Sequence, residues 1–161
     1  MEKILNVYLE DETATEAFGR KIAESIKAHR DTILSNGLNF RLDGDLGAGK
    51  TYLIRSCLRA LGFEGRVKSP TFTLLETYTI DGLRWNHFDF YRFETPEEFD
   101  DAGFREAFGP GQVTACEWSE KAYPYVPDAD ILIRYTIADE GRDLDLTAMS
   151  KLGEDILKDL K

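Results

Sequence analysis

Gly44-Asp45-Leu46-Gly47-Ala48-Gly49-Lys50-Thr51 follows the alternating run Leu38-Asn39-Phe40-Arg41-Leu42 and precedes an apolar stripe of Leu53, Ile54, Cys57, Leu58 and Leu61. The stretch matches G-x-x-x-x-G-K-[ST] at every defined position, between a predicted strand and a predicted amphipathic helix, which is the setting the motif requires. Glycines let the backbone curl so that successive N–H groups face a phosphate, and they remove side chains that would block its approach. The head of the following helix adds unsatisfied N–H groups and the positive end of its dipole. Lys50 brings a positive charge to the β- and γ-phosphates, and the Thr51 hydroxyl is a Mg²⁺ ligand in this arrangement. At average composition the four defined residues would coincide in a chain of this length about 0.5% of the time. The reading is a phosphate-binding loop for a nucleoside triphosphate, with ATP expected.

Upstream, residues 4–9 read as a strand. Thr13-Ala14-Thr15-Glu16 has the capping-box form, with Thr13 as the N-cap and Thr15 in the first turn facing solvent. A helix follows on the stripe Ala14, Phe18, Ile22 and Ile26 and ends near residues 29–31. Downstream, Gly62 stops the helix after the loop. Residues 71–80 and 83–90 read as strands joined by the Asp81-Gly82 turn. Thr95-Pro96-Glu97-Glu98 opens a short helix to about Ala102, and Gly109-Pro110-Gly111 is a breaker. Residues 113–117 form a short apolar strand, residues 131–137 and 143–149 a hairpin across 139–142, and the tail from Lys151 a short charged helix. This order predicts an α/β, three-layer P-loop NTPase-like domain over residues 1–161. Its sheet is mixed, parallel at the centre with antiparallel hairpins at the edges.

The chain has 161 residues, enough for a core without disulfides or a structural metal. Cys57 and Cys116 fall in apolar stretches and read as small buried residues. No run approaches a membrane span and no leader pattern is present, so a cytosolic protein is expected, with no membrane partner. The net charge of −10 disfavours DNA or RNA binding by the chain alone.

A P-loop works with an acid at the end of a neighbouring strand. Two fit: Asp89 in His87-Phe88-Asp89-Phe90-Tyr91-Arg92, and Glu117 after Val113-Thr114-Ala115-Cys116. Glu117 has the more apolar strand before it. Each is equally readable as an exposed acid at a strand end. Ser69-Pro70-Thr71-Phe72-Thr73 reads either as a switch whose hydroxyls reach the γ-phosphate or as a Pro-initiated turn into a Thr-rich strand. Arg55, Arg59, Arg66 and Lys68 form a basic cluster, a solvated face or a docking patch. His87 reads as a packed or hydrogen-bonded strand residue, and His29 as a favourable charge at a helix end.

Together these motifs resemble the bacterial TsaE (YjeE) family. The resemblance rests on residues 44–51, Val67-Lys68-Ser69-Pro70-Thr71-Phe72-Thr73-Leu74, residues 87–92 and Glu117-Trp118-Ser119-Glu120-Lys121, in the family's order and spacing. It implies a small Mg²⁺-dependent ATPase that supports threonylcarbamoylation of the adenosine beside the anticodon in tRNA. TsaD and TsaB would be its protein partners, and tRNA would be met only through that complex. It further implies that Lys50 holds phosphate while Thr51, Asp89 and Glu117 serve Mg²⁺, with Lys50, Asp89 and Glu117 as the catalytic set. Gly47, Ala48, Gly49, Lys50, Thr51 and Tyr52 would line the nucleotide, with Ser69, Thr71 and Thr73 as the switch, Trp118 flanking the γ-phosphate and Thr15 near the nucleotide. Tyr52 is bulkier than the family pattern leads one to expect. Two rival readings are a module that holds nucleotide without turning it over and a small-molecule kinase, though for the latter the acidic run Glu94, Glu97, Glu98, Asp100 and Asp101 argues against a phosphate-clamping lid.

Overall fold

The computed structural model describes residues 4–45 and 48–161. Alternation places the strands. In β2 (Leu38–Asp43) Leu38, Phe40 and Leu42 are buried between half-exposed neighbours. β2 pairs in parallel with β5 (Gln112–Glu117) on one side and β6 (Ile131–Ala138) on the other. β4 (Leu83–Asp89) adds in parallel to β5. The edges are antiparallel: β3 (Leu75–Ile80) on β4, β7 (Gly141–Ala148) on β6, and β1 (Ile4–Leu9) on β7. The sheet has 7 strands in the order β1-β7-β6-β2-β5-β4-β3. This is the expected mixed sheet with a parallel centre.

α1 (Glu12–Ala28), α3 (Lys50–Ala60) and α5 (Lys151–Leu160) bury Phe18, Ile22, Ile26, Leu53, Leu58, Ile156 and Leu157 in the same core cluster as Phe40, Leu42, Trp85 and Ile133 of the sheet. α1 and α3 meet closely at Gly19, where an added Cβ would stand 2.5 Å from the Ser56 Cβ. Residues of opposite parity, Phe88 and Cys116, face the other side of the sheet. There they pack with Phe90, Phe93 and Phe99. Phe104 and Phe108 complete this layer, together with the short α4 (Glu98–Asp101). Both cysteines are free and buried, as expected. Among the described residues, no helix is long and apolar enough to cross a membrane.

Several local expectations differ from what is observed. The N-cap of α1 is Asp11, not Thr13: its extended backbone lets Oδ1 accept from the Ala14 N–H at 2.8 Å. A second helix, α2 (Arg30–Asn36), follows α1 directly. Residues 71–73 form a turn rather than the start of β3. The Leu74 N–H bonds the Pro70 carbonyl at 2.9 Å, and Leu74 takes a left-handed backbone, φ 68°. The β6–β7 hairpin is tighter than expected, with Ala138 paired to Gly141, so Arg142 lies within β7. α5 is more than a charged tail, because Ile156, Leu157 and Leu160 are buried. The short helix opens later than Thr95-Pro96 led one to expect: α4 starts at Glu98 with Glu97 as its N-cap and no side-chain cap bond, and Glu98 Oε2 instead accepts from the Thr95 N–H at 2.9 Å.

Candidate nucleotide site

β2 delivers the chain into the loop at the carboxyl ends of the parallel strands, where open α/β sheets place their ligands. Ala48 N–H bonds the Asp45 carbonyl at 3.1 Å, and Gly49 turns the chain into α3 with a left-handed φ of 99° that suits glycine. Lys50, the first residue of α3, is only 6% exposed. Its Nζ donates to the Gly44 carbonyl at 2.5 Å and lies 3.1 Å from Glu117 Oε1. Thr51 is half-buried beside it in the first helical turn. Gly47 lies outside the described residues.

Strand register brings the acids together. Glu117 pairs with Leu42 of β2 and with Asp89 of β4, so both carboxylates end neighbouring strands on the loop's side of the sheet. Neither stands exposed: Asp89 is 5% and Glu117 6% accessible. A buried charge survives only when paired and hydrogen-bonded. Glu117 meets that condition with Lys50 on Oε1 and His87 Nε2 on Oε2, the latter at 2.6 Å. Burial pushes the Glu117 pKa up, but the His87 hydrogen bond and the Lys50 charge outweigh it, so Glu117 titrates below its ordinary value. Asp89 behaves oppositely. Burial raises its pKa, and the Tyr91 N–H at 2.9 Å only partly compensates, with the Glu117 charge raising it further.

Thr15, Ala48, Gly49 and Tyr52 line a cleft of about 470 Å³ with Tyr135 and Arg142. That volume is within the range of small-molecule sites. Thr15 is half-buried there rather than facing solvent, and its hydroxyl bonds the Asp11 carbonyl at 3.3 Å. Tyr52 fits its bulk against α1, where its hydroxyl donates to Glu16 at 3.0 Å. A second hollow, about 310 Å³, lies between Gly44, Asp45, Trp118 and Glu120. Trp118 has a left-handed backbone, φ 57°, and stacks edge-on with Tyr91 at 5.0 Å.

The segment with Ser69, Thr71 and Thr73 is not joined to Lys50, Asp89 or Glu117 by any side-chain hydrogen bond among the described residues. Ser69 and Thr71 bond each other at 2.8 Å, and Thr73 is exposed. The link to the acids is through the backbone: the Asp89 N–H donates to the Leu74 carbonyl at 3.0 Å. Arg55 and Arg59 have a local task. They donate to the carbonyls of Val67 (3.0 Å), Phe63 (2.8 Å) and Gly65 (2.6 Å), holding the connection after α3.

Two residues gain a place that sequence reading did not assign. His87 is indeed a hydrogen-bonded strand residue, but its partner is Glu117. Only the β4–β5 register, invisible in sequence, reveals this. Arg142 Nε donates to the Ala48 carbonyl at 2.9 Å; it looked like part of a turn because the hairpin is shorter than expected. The donor set also bears on a metal. Among the described residues no group of three or more His, Cys, Asp or Glu could hold one alone. A hydroxyl and one or two carboxylates fit Mg²⁺, which takes most of its remaining ligands from water and substrate phosphates.

The sequence profile described as "Threonylcarbamoyl adenosine biosynthesis protein TsaE" matches residues 9–144, a span that includes every site residue named above. The chain belongs to the TsaE family. A TsaE protein of Haemophilus influenzae is 42% identical over 95% of both chains. A Nostoc TsaE is 31% identical over 98% of this chain and 94% of its own. Among solved structures, Bacillus subtilis YdiB superposes with a TM-score of 0.74 at 25% identity, covering 99% of this chain and 95% of that one. TsaE proteins are named for tRNA threonylcarbamoyladenosine biosynthesis, so membership places the chain in that system.

Proposed function

We propose that this chain is a slow Mg²⁺-dependent ATPase that supports threonylcarbamoylation of the adenosine beside the anticodon in tRNA, together with TsaD and TsaB. The observation that carries the ATPase reading is the buried Lys50–Glu117 pair at the head of α3, directly under the start of the loop. A triphosphate entering the loop offers Lys50 a more highly charged acceptor than the Gly44 carbonyl. As Lys50 turns to it, Glu117 Oε1 is released next to Asp89, its register partner on β4. Mg²⁺ held there would neutralise charge on the phosphate oxygens. The loop amides and Lys50 would hold the nucleotide, and Glu117 and Asp89 would hold Mg²⁺. The cleft with Thr15, Tyr52 and Arg142 takes the rest of the nucleotide.

Slow turnover follows from what the site offers. An arginine aimed at the transferred phosphate is worth roughly 10³–10⁵ in rate. Arg142 reaches the loop, yet its Nε is engaged by the Ala48 carbonyl. The Asp89 N–H to Leu74 carbonyl bond ties the end of β4 to the residue that follows the candidate switch, residues 69–73. The test is phosphate release from ATP by the protein alone and with TsaB and TsaD, with Mg²⁺ or a chelator. The expected result is slow release without any added acceptor, lost on chelation and changed in rate by the partners. Fast turnover indifferent to both partners would overturn the reading.

A further inference from the structure

We propose that His87 is the positioning residue for the Glu117 carboxylate: it fixes Oε2, so that Oε1 alone is exchanged between Lys50 and the metal. The inference rests on the ATPase reading above. Three observations on the same face of the sheet carry it. His87 is 1% exposed, so its ring is held by the surrounding packing. Its Nε2 lies 2.6 Å from Glu117 Oε2, and a carboxylate can only accept, so Nε2 carries the proton of that bond. Its Nδ1 is buried with no hydrogen-bond partner among the described residues, so no second bond competes with Glu117 for the orientation of the ring.

The consequence is a division of labour within one carboxylate. Lys50 bonds Oε1 at 3.1 Å, and a phosphate can compete for Lys50. Nothing that enters the loop competes for Oε2, because His87 reaches it from β4, beneath the site. When Lys50 leaves, a glutamate without that anchor would be free to rotate about its side-chain torsions and lose its aim. With the anchor, Oε1 stays where Lys50 left it. Residues that orient metal ligands in this way are worth roughly 10–100-fold in metal affinity or activity.

The experiment compares His87→Gln with His87→Asn. The glutamine amide nitrogen lies about where Nε2 lies and keeps the donor; the asparagine amide nitrogen lies about where Nδ1 lies and falls short of Glu117. Mn²⁺ binding is measured by electron paramagnetic resonance with a non-hydrolysable ATP analogue present, ATP-analogue affinity is measured without metal, and circular dichroism checks folding. For His87→Asn the expected result is Mn²⁺ affinity down roughly 10–100-fold and kcat down by a similar factor, with metal-free nucleotide affinity unchanged within about threefold. His87→Gln should recover most of both. Wild-type Mn²⁺ affinity in His87→Asn overturns the proposal and leaves the ATPase reading standing. Equal loss in both variants also overturns it, because the donor would then be irrelevant. Should the wild-type protein bind no Mn²⁺ with the analogue, both the proposal and the ATPase reading fall. If the asparagine variant does not fold, His87→Gln alone decides: Mn²⁺ affinity near wild type sustains the proposal, and a loss beyond tenfold overturns it.

Discussion

Glu117 and Asp89 stand side by side at the ends of β5 and β4, yet their surroundings push them in opposite directions. Glu117 has a histidine and a lysine; Asp89 has a backbone N–H and a neighbouring negative charge. The signs for stability therefore differ. Glu117, lowered from 4.5, stabilises the fold above its unfolded value, and that contribution is lost as pH falls through its folded value. Asp89, raised from 3.8, contributes stability below its unfolded value and loses it as pH rises through its folded one, so its ionised form costs stability at neutral pH. Asp89→Asn should accordingly raise Tm at pH 7, with the gain vanishing in thermal melts run below about pH 4. The same variant, like Glu117→Gln, should slow Mg²⁺-dependent phosphate release by roughly 10²–10³ while leaving ATP binding within a few-fold, because the loop already holds the ground state. Wild-type release rates in both variants would remove these acids from the site.

At the level of elements, the start of α1 gives a clean test. Asp11 Oδ1 caps the Ala14 N–H, so Asp11→Ala should cost about 0.5–2 kcal/mol in urea unfolding, whereas Thr13→Ala should be nearly neutral. The reverse order would restore Thr13 as the cap. The misreading has a physical cause: Asp11 and Thr13 are both good caps, and only backbone conformation at Asp11 decides between them. α3, the parallel strands and the strand-end placement of both acids were legible because each rests on a local pattern: the motif that opens the helix, a 3.6-residue stripe, and a strand run that ends in a carboxylate, apolar before Glu117 and more polar before Asp89. The turn at 71–73 was not, since its Thr-rich composition favours a strand and only the left-handed Leu74 breaks it. His87 and Arg142 were not legible as site residues either. Their partners, Glu117 and Ala48, lie 30 and 94 residues away and come near only through register and hairpin length.

For the whole molecule, the parallel centre of the sheet gathers the ends of β2, β4 and β5 beneath one loop, and the antiparallel edges close the remaining core around it. The chain carries a net charge of −10, and its membership in the TsaE family rests on a profile match that spans residues 9–144. The central claim of the ATPase reading is that Lys50 leaves Glu117 for a triphosphate. The most direct test is calorimetric titration of ATP into the wild-type protein and Lys50→Ala, with circular dichroism confirming that the variant is folded. Loss of a charge-assisted bond worth about 1.5–3 kcal/mol predicts ATP affinity roughly 10–150-fold weaker in the variant. A folded Lys50→Ala protein that binds ATP as tightly as the wild type would contradict the account.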